Sequence, residues 1–227
     1  MKLSVIIPTY NEVRTIREIV HRVQSVGLVN EILIVDDGSQ DGTREIIAGL
    51  DGKEGVRVVL HTVNQGKGAA VRTGIQNASG DVLLIQDADL EYDPRDYPQL
   101  LRPIIEEIAD VVYGSRFLGA ARRPTLFWNM VANKILTAVT NILYNNILTD
   151  METGYKVFRK SIVQDMVIHA RGFEFEPEFT AKILKKKVRI FEVPITFNPR
   201  DYSEGKKIKI SDAFVAMWTL FKYRFVD

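Results

Sequence analysis

Three carboxylates, Asp87, Asp89 and Glu91, leave the end of a short apolar run, Val82-Leu83-Leu84-Ile85, on alternate positions. If the chain stays extended there, the period of two aims all three the same way. Close carboxylates repel one another unless a cation sits among them, and hard oxygen ligands suit Mg2+ or Mn2+. Two more polar clusters follow apolar runs in the same manner. Pro8-Thr9-Tyr10-Asn11-Glu12 ends the first, and Asp36-Asp37-Gly38-Ser39-Gln40-Asp41-Gly42 ends the second. A fourth stretch, Asn64-Gln65-Gly66-Lys67-Gly68, puts a lysine among glycines. It matches neither the Walker phosphate loop nor the Gly-x-Gly-x-x-Gly fingerprint, because Val71 takes the place of the last glycine. Singly, each cluster also reads as a turn, a helix cap or a solvated acidic loop. Jointly they supply a ring and carboxylate for a base and ribose, a lysine near phosphate, and acids for a metal.

The elements that must position them alternate. Leu3 to Pro8 reads as a buried strand, and Asn11 is placed to cap a helix carrying Ile16, Ile19, Val20 and Val23 at helical spacing, closed by Gly27. Glu31–Val35 and Val56–Leu60 read as strands on either side of a helix over Thr43–Ala48. A further helix runs through Asn77 to the strand before Asp87, and Ala109–Tyr113 continues the sheet to Gly114-Ser115-Arg116. Such alternation implies a mainly parallel, doubly wound α/β sheet, in which ligands bind outside the carboxyl ends of the strands. All three polar clusters fall at such ends.

With 227 residues, 46% hydrophobic and 26% charged, the chain suits one globular domain. A net charge of +1 provides no global field for nucleic acid, and the absence of cysteine excludes disulfides and thiolate metal sites. Met1-Lys2-Leu3-Ser4-Val5 enters a strand without the organisation of a signal peptide, which implies a cytoplasmic location.

The sequence resembles the family 2 glycosyltransferases, which have a nucleotide-sugar-binding GT-A fold. Five ordered motifs carry the resemblance: Val5–Glu12, Val35–Thr43, Asn64–Gly68, Gln86-Asp87-Ala88-Asp89 and Gly114-Ser115-Arg116. Asp150-Met151-Glu152-Thr153-Gly154-Tyr155-Lys156 and Arg200–Lys207 narrow it to the branch of dolichyl-phosphate mannose synthases and polyprenyl-phosphate sugar transferases. The resemblance implies that Pro8, Tyr10, Glu12, Val35 and Asp37 hold base and ribose, that Asp87 and Ala88 contact the nucleoside, and that Asp89 coordinates the metal. Glu91 stands where the branch often has Gln, as a further metal ligand. Arg116, Arg200 and Lys206 match positions that meet phosphate groups of donor or acceptor. Glu176 lies where some relatives place a residue near the donor phosphate, a role that its negative charge opposes. Residues 1–115 would then form the nucleotide-sugar-binding half and residues 116–227 the acceptor and membrane-facing half.

From Thr125 to Leu148 only Lys134 is charged, and Asn129, Asn133, Thr137, Asn141 and Asn145 recur every four residues. This is one polar stripe on an apolar helix, read as lying in a membrane interface or against an integral membrane partner, with Phe127 and Trp128 as anchors; a core helix is the competing reading. Ser211-Asp212 reads as the cap of a last helix rich in Phe, Trp and Met and flanked by Lys206, Lys207, Lys209, Lys222 and Arg224, which suits an anionic lipid surface. Branch members with membrane anchors extend beyond this C-terminus, so attachment is expected to be peripheral. The loop Arg200–Lys209, with Gly205, could close over phosphate.

The expected activity is inverting transfer of a sugar from a UDP- or GDP-linked donor to a polyprenyl phosphate, with Mg2+ or Mn2+. An ionised phosphate needs no general base. A sugar-hydroxyl acceptor would need one, and Glu174, Glu176 and Glu178 keep that alternative open. A non-catalytic nucleotide-sugar-binding subunit is a second alternative. A dinucleotide oxidoreductase is disfavoured by the missing glycine fingerprint after the first strand.

Overall fold

The computed structural model describes residues 1–119, 127–199 and 210–226. β1 (Leu3–Thr9), β2 (Glu31–Asp36), β3 (Val56–Leu60) and β4 (Val82–Ile85) alternate with α1 (Ile16–Ser25), α2 (Thr43–Ala48) and α3 (Lys67–Asn77). Then come α4 (Tyr97–Ile105), β5 (Val111–Ser115), α5 (Phe127–Tyr144), β6 (Lys156–Arg159), α6 (Lys160–Val163), α7 (Phe175–Lys185), β7 (Ile190–Pro194) and α8 (Ile210–Phe225).

One seven-stranded sheet results, in the order β3-β2-β1-β4-β6-β5-β7. All pairings are parallel except those of β6, which runs antiparallel between β4 and β5. Helices cover both faces, so β1, β2 and β4 are apolar on both sides rather than alternating. One core packs Val5, Ile7, Ile32 and Leu84 under α1 and α4, and the other packs Ile6, Leu33, Leu83 and Phe158 under α3 and α7. β1 adds β2 on one side and β4 on the other, so the chain reverses its winding at β1 and opens a crevice beyond its carboxyl end.

Two of the expected caps are corrected. Helix α1 starts at Ile16, five residues beyond Asn11 and one turn past Glu12. Asn11 instead takes a positive φ of 53° and accepts a hydrogen bond from the Gln40 amide (2.9 Å). Asn tolerates that left-handed conformation where most side chains do not. The described part of α8 begins at Ile210, so Asp212 lies inside its first turn.

Helix α5 is inside out. Asn133 and Thr137 of its polar stripe are buried, together with Thr140, whereas Phe127, Trp128, Ile135 and Ile142 face outward. The Asn141 side chain donates to the Leu148 carbonyl and accepts from its amide, both at 2.8 Å, which fixes the turn after the helix. α8 packs against α5 through Leu220 and Ala216 and leaves Phe214, Trp218 and Phe225 exposed. No helix among the described residues is long and apolar enough to cross a membrane.

Candidate active site

The loops after β1, β2 and β3 are tied to one another by side chains that bond the neighbouring loop's backbone. Ser39 accepts from the Asn11 amide (2.9 Å), Thr43 from the Glu12 amide (3.0 Å) and Asp41 from the Val13 amide (3.1 Å). Asp36 takes the Gly38 and Ser39 amides on one oxygen together with Arg44, whose guanidinium also reaches the His61 carbonyl. Asp37 accepts from the amides of Gln65 (2.9 Å) and Gly66 (2.7 Å) and pairs with His61 Nδ1 (2.7 Å). The sequence of the β2 loop is therefore a set of anchors that hold the crevice open in one shape. Pro8 and Tyr10 are half-buried at its rim and Glu12 is buried beside Thr15, whose hydroxyl it accepts (2.9 Å).

Two nucleotide contacts expected from the sequence face the protein instead. The carboxylate of Asp37 is engaged by the loop before α3, and Val35 is wholly buried in the core with Ala70 and Val71. What these residues offer a ligand is the shape of the loop they hold and their backbone, because their side chains are committed elsewhere.

The acidic cluster also differs from its expected form. The chain does not stay extended past Asp87: Leu90 takes a φ of 65°, and Asp89 turns back to accept the Glu91 amide (3.1 Å). Local side-chain hydrogen bonding of this kind replaces the period of two that would aim all three acids alike. Among the described residues no three acidic or histidine side chains gather as a metal cage. The donor set still suits a hard ion of the Mg2+ type, which is commonly held by one or two carboxylates together with substrate phosphate. Asp87, Asp89 and Glu91 are the oxygen donors that fit.

Lys67 lies across this cluster, with Nζ 2.8 Å from Asp87 and 2.9 Å from Glu176. Burial works to lower its pKa, but the two carboxylates hold it well above the ordinary lysine value. The glycines around it serve close packing rather than a phosphate cradle. A Cβ at Gly66 would stand 2.2 Å from the Arg171 carbonyl oxygen, and one at Gly68 would stand 2.7 Å from that of Ala170.

At the other end of the crevice β5 delivers Arg116. Its Nε and Nη2 each lie 2.7 Å from the two oxygens of buried Asp150, and its backbone amide donates to the same carboxylate (3.0 Å). Burial opposes the charge, but Asp150 more than offsets it and raises the Arg116 pKa. The guanidinium stacks over Phe197, 5.1 Å from the ring centre. Glu192 fixes Asp150 from behind by accepting its amide and that of Thr149. Asp150 was not among the functional residues expected from the sequence. The available signal was Arg116 itself, since a cation at the end of a buried strand requires a counter-ion.

From Asp150 the chain crosses the floor of the crevice to Gly154, whose Cα lies so close to Asp87 that a Cβ would meet that carboxylate at 2.3 Å. The Gly154 amide donates to the Tyr92 hydroxyl (2.9 Å), and the Tyr97 and Tyr155 hydroxyls both donate to Gln86 (2.8 and 2.7 Å). Buried Lys156 places its Nζ on the carbonyls of Met151 (3.1 Å) and Thr153 (2.5 Å).

The three glutamates kept open as bases for a hydroxyl acceptor all have other partners. Glu174 accepts the Arg171 and Gly172 amides, Glu176 pairs with Lys67, and Glu178 accepts the His169 and Ala170 amides and pairs with Lys182. Arg200 and Lys206, expected to meet phosphate, lie outside the described residues, as does the whole of the loop assigned as a lid.

Comparison with known proteins agrees with this geometry. Residues 4–167 match the glycosyl transferase family 2. The dolichol-phosphate mannosyltransferase of Pyrococcus furiosus is 35% identical over 211 residues; the match takes in 91% of this chain but 59% of that longer protein. The UDP-N-acetylglucosamine–dolichyl-phosphate N-acetylglucosaminyltransferase of Methanococcus voltae is 30% identical over 96% of this chain and 94% of its own length. Among solved structures, glucosyl-3-phosphoglycerate synthase of Mycobacterium tuberculosis, in complex with Mn2+, UDP and phosphoglyceric acid, superposes with a TM-score of 0.76 at 23% identity. That alignment covers all of this chain and 79% of the other. The sheet order, the helices on both faces and these relatives together show a glycosyltransferase of GT-A fold, and the chain belongs to glycosyl transferase family 2.

Proposed function

We propose that this glycosyltransferase moves a hexose from a UDP- or GDP-linked donor to a polyprenyl phosphate, with inversion, while lying against the cytoplasmic face of a membrane. One observation carries the reading. The inner face of α5 reaches the phosphate-type arginine through Asn133 Nδ2, 3.2 Å from the Asp150 oxygen that clamps Arg116, while the outer face of the same helix is apolar and exposed. An arginine backed by an apolar surface is what an acceptor with an anionic head and a hydrocarbon tail requires. The Pyrococcus and Methanococcus relatives are both named for transfer to dolichol or dolichyl phosphate, which supports the same acceptor class.

Within this reading the rim formed by Pro8, Tyr10 and Glu12, with Asp87 and Ala88, receives the nucleoside. A bound Mg2+ or Mn2+ would offset charge on the donor diphosphate, with Asp89 and its neighbours Asp87 and Glu91 as oxygen donors. Arg116, held in one orientation by Asp150, relieves repulsion between the donor and an incoming phosphate. The acceptor oxygen attacks the anomeric carbon from the face opposite the leaving diphosphate, and that carbon–oxygen bond breaks as the new one forms. No proton has to be removed from the nucleophile, which is consistent with the engagement of Glu174, Glu176 and Glu178 elsewhere. Arg200 and Lys206 complete the phosphate contacts.

A panel of UDP- and GDP-sugars offered with polyprenyl phosphate in vesicles, and separately with free glycosides, tests the proposal. Transfer to the lipid phosphate that requires divalent cation is the expected outcome, and transfer to glycoside hydroxyls alone would overturn it. Asp89→Asn should reduce transfer by roughly a hundredfold or more with the fold intact. Arg200→Ala should raise the KM for acceptor while nucleotide binding is kept; equal loss of both would remove Arg200 from the acceptor site.

A further inference from the structure

Among the described residues three buried side-chain oxygens have no hydrogen-bond partner: Asp36 Oδ1, Glu152 Oε1 and Thr153 Oγ1. Asp36 is otherwise well satisfied, since its second oxygen takes two amides and Arg44. Glu152 and Thr153 are neighbours in sequence, between Asp150, which bonds Arg116, and Gly154, which lies against Asp87. An unpaired buried polar atom is costly, of order 1–3 kcal/mol, so two adjacent ones call for a reason.

The surroundings sharpen the case. Burial and then repulsion from Glu176 push the Glu152 carboxyl up from the usual range, with a further contribution from Asp150. The two nearest cations do not relieve it through a bond: Arg116 is clamped on Asp150, and Lys156 Nζ is held by the Met151 and Thr153 carbonyls. Its position is defined by its own segment. Asp150 meets Arg116, Gly154 meets Asp87, and Glu152 stands midway between them. The floor therefore runs from the acids that face the donor diphosphate to the arginine that faces the acceptor phosphate, and the transferred sugar has to lie between those two ends.

We propose that Glu152 is a sugar-reading residue, whose Oε1 accepts a hydrogen bond from one hydroxyl of the transferred hexose. This rests on the reading of the crevice as a nucleotide-sugar site and adds to it the residue that selects the sugar. A hexose hydroxyl is the natural occupant: it can donate to the carboxyl oxygen in either protonation state, whereas an ionised phosphate oxygen has no proton to donate to it. A site built around such a bond rejects the analogue that lacks the hydroxyl, because the buried oxygen is then left unpaired again.

The test measures binding by calorimetry with Mg2+ present. UDP-glucose and GDP-mannose are compared with their 2-, 3-, 4- and 6-deoxy forms and with bare UDP and GDP, in wild type, Glu152→Gln and Glu152→Ala. In the wild type one deoxy position should weaken the better donor by roughly 10- to 100-fold. Glu152→Ala should bind that deoxy donor and its parent equally, with affinity for the bare nucleotide unchanged, and Glu152→Gln should recover part of the preference. Thermal melting of both variants confirms that they are folded, and Glu152→Gln preserves the shape should Glu152→Ala fail to fold. A wild type indifferent to every deoxy change, or variants with undiminished discrimination, would overturn the assignment while leaving the donor site standing. Absence of any nucleotide-sugar binding to the wild type would remove both.

Discussion

Glu31, buried, and Glu152, half-buried with one oxygen shut away from solvent, are carboxylates at opposite ends of the same sheet, and they are treated oppositely. Glu31, at the amino end of β2, accepts from the Ser4 hydroxyl, the Ser79 amide (2.7 Å) and Arg57 (2.6 Å). Burial alone would raise its pKa, but these bonds bring it down to about 2. Glu152, at the carboxyl end, has an unpaired oxygen and carboxylate neighbours, and its pKa is pushed the other way. One end of the sheet is satisfied internally and contributes stability. The other carries unsatisfied polar groups, as expected of a surface shaped for a ligand.

The comparison breaks most visibly at Arg116. Removing one partner of a buried pair leaves the other charge uncompensated, so Arg116→Met should destabilise the fold by about 3–5 kcal/mol and abolish transfer. Adding Asp150→Asn should restore part of the stability, with a coupling of at least ~1 kcal/mol, and none of the transfer. Denaturant melts alongside activity separate the two effects. Strict additivity of the two substitutions would mean that the ion pair does not hold the site together.

A smaller effect belongs to the satisfied end. The folded Glu31 carboxyl binds its proton more weakly than the unfolded one, so the unfolded chain holds more protons between pH 4.5 and about 2. Its contribution is complete above that window and is lost as pH falls through it. Glu31→Gln should lose about 2 kcal/mol near neutrality, discounted for half-exposed Arg57. It should also show a shallower acid dependence and unchanged kcat. A change in kcat would show that the two ends are not independent.

Much of this division was legible in the sequence, for a local reason. β1 to β4 and the helices between them are written in uninterrupted apolar runs and regular spacing, and α2, β3 and β4 fall on their expected bounds. β6 was not visible: Lys156–Arg159 is four residues long with a charge at each end, and it becomes a strand only because β4 and β5 offer it edges. The alternate spacing of Asp87, Asp89 and Glu91 failed as a guide because Asp89 bonds its own backbone and turns the chain. Asp150 shows no role within its own motif, since its partner Arg116 lies 34 residues away. The stripe of Asn133, Thr137 and Asn141 was legible as a stripe; that it faces the protein depends on tertiary contacts with Asp150, Met151 and Leu148.

The smallest expected change in stability lies on the outer face of that helix pair. Trp218 is 69% exposed and Phe214 75%, so replacing either by Ser removes little from the folded core. Folding stability should move by no more than ~0.5 kcal/mol. Burial of one large apolar side chain in a lipid interface contributes about 1.5–3 kcal/mol, so each substitution should weaken binding to anionic vesicles by roughly tenfold or more. Transfer to a lipid-embedded acceptor should fall with it, while transfer to a short, soluble prenyl phosphate should not. That pattern would separate the outer face of α5 and α8 from the catalytic crevice in the same way that Glu31 is separated from Glu152. Vesicle binding unchanged in both variants would mean that this apolar surface meets something other than lipid.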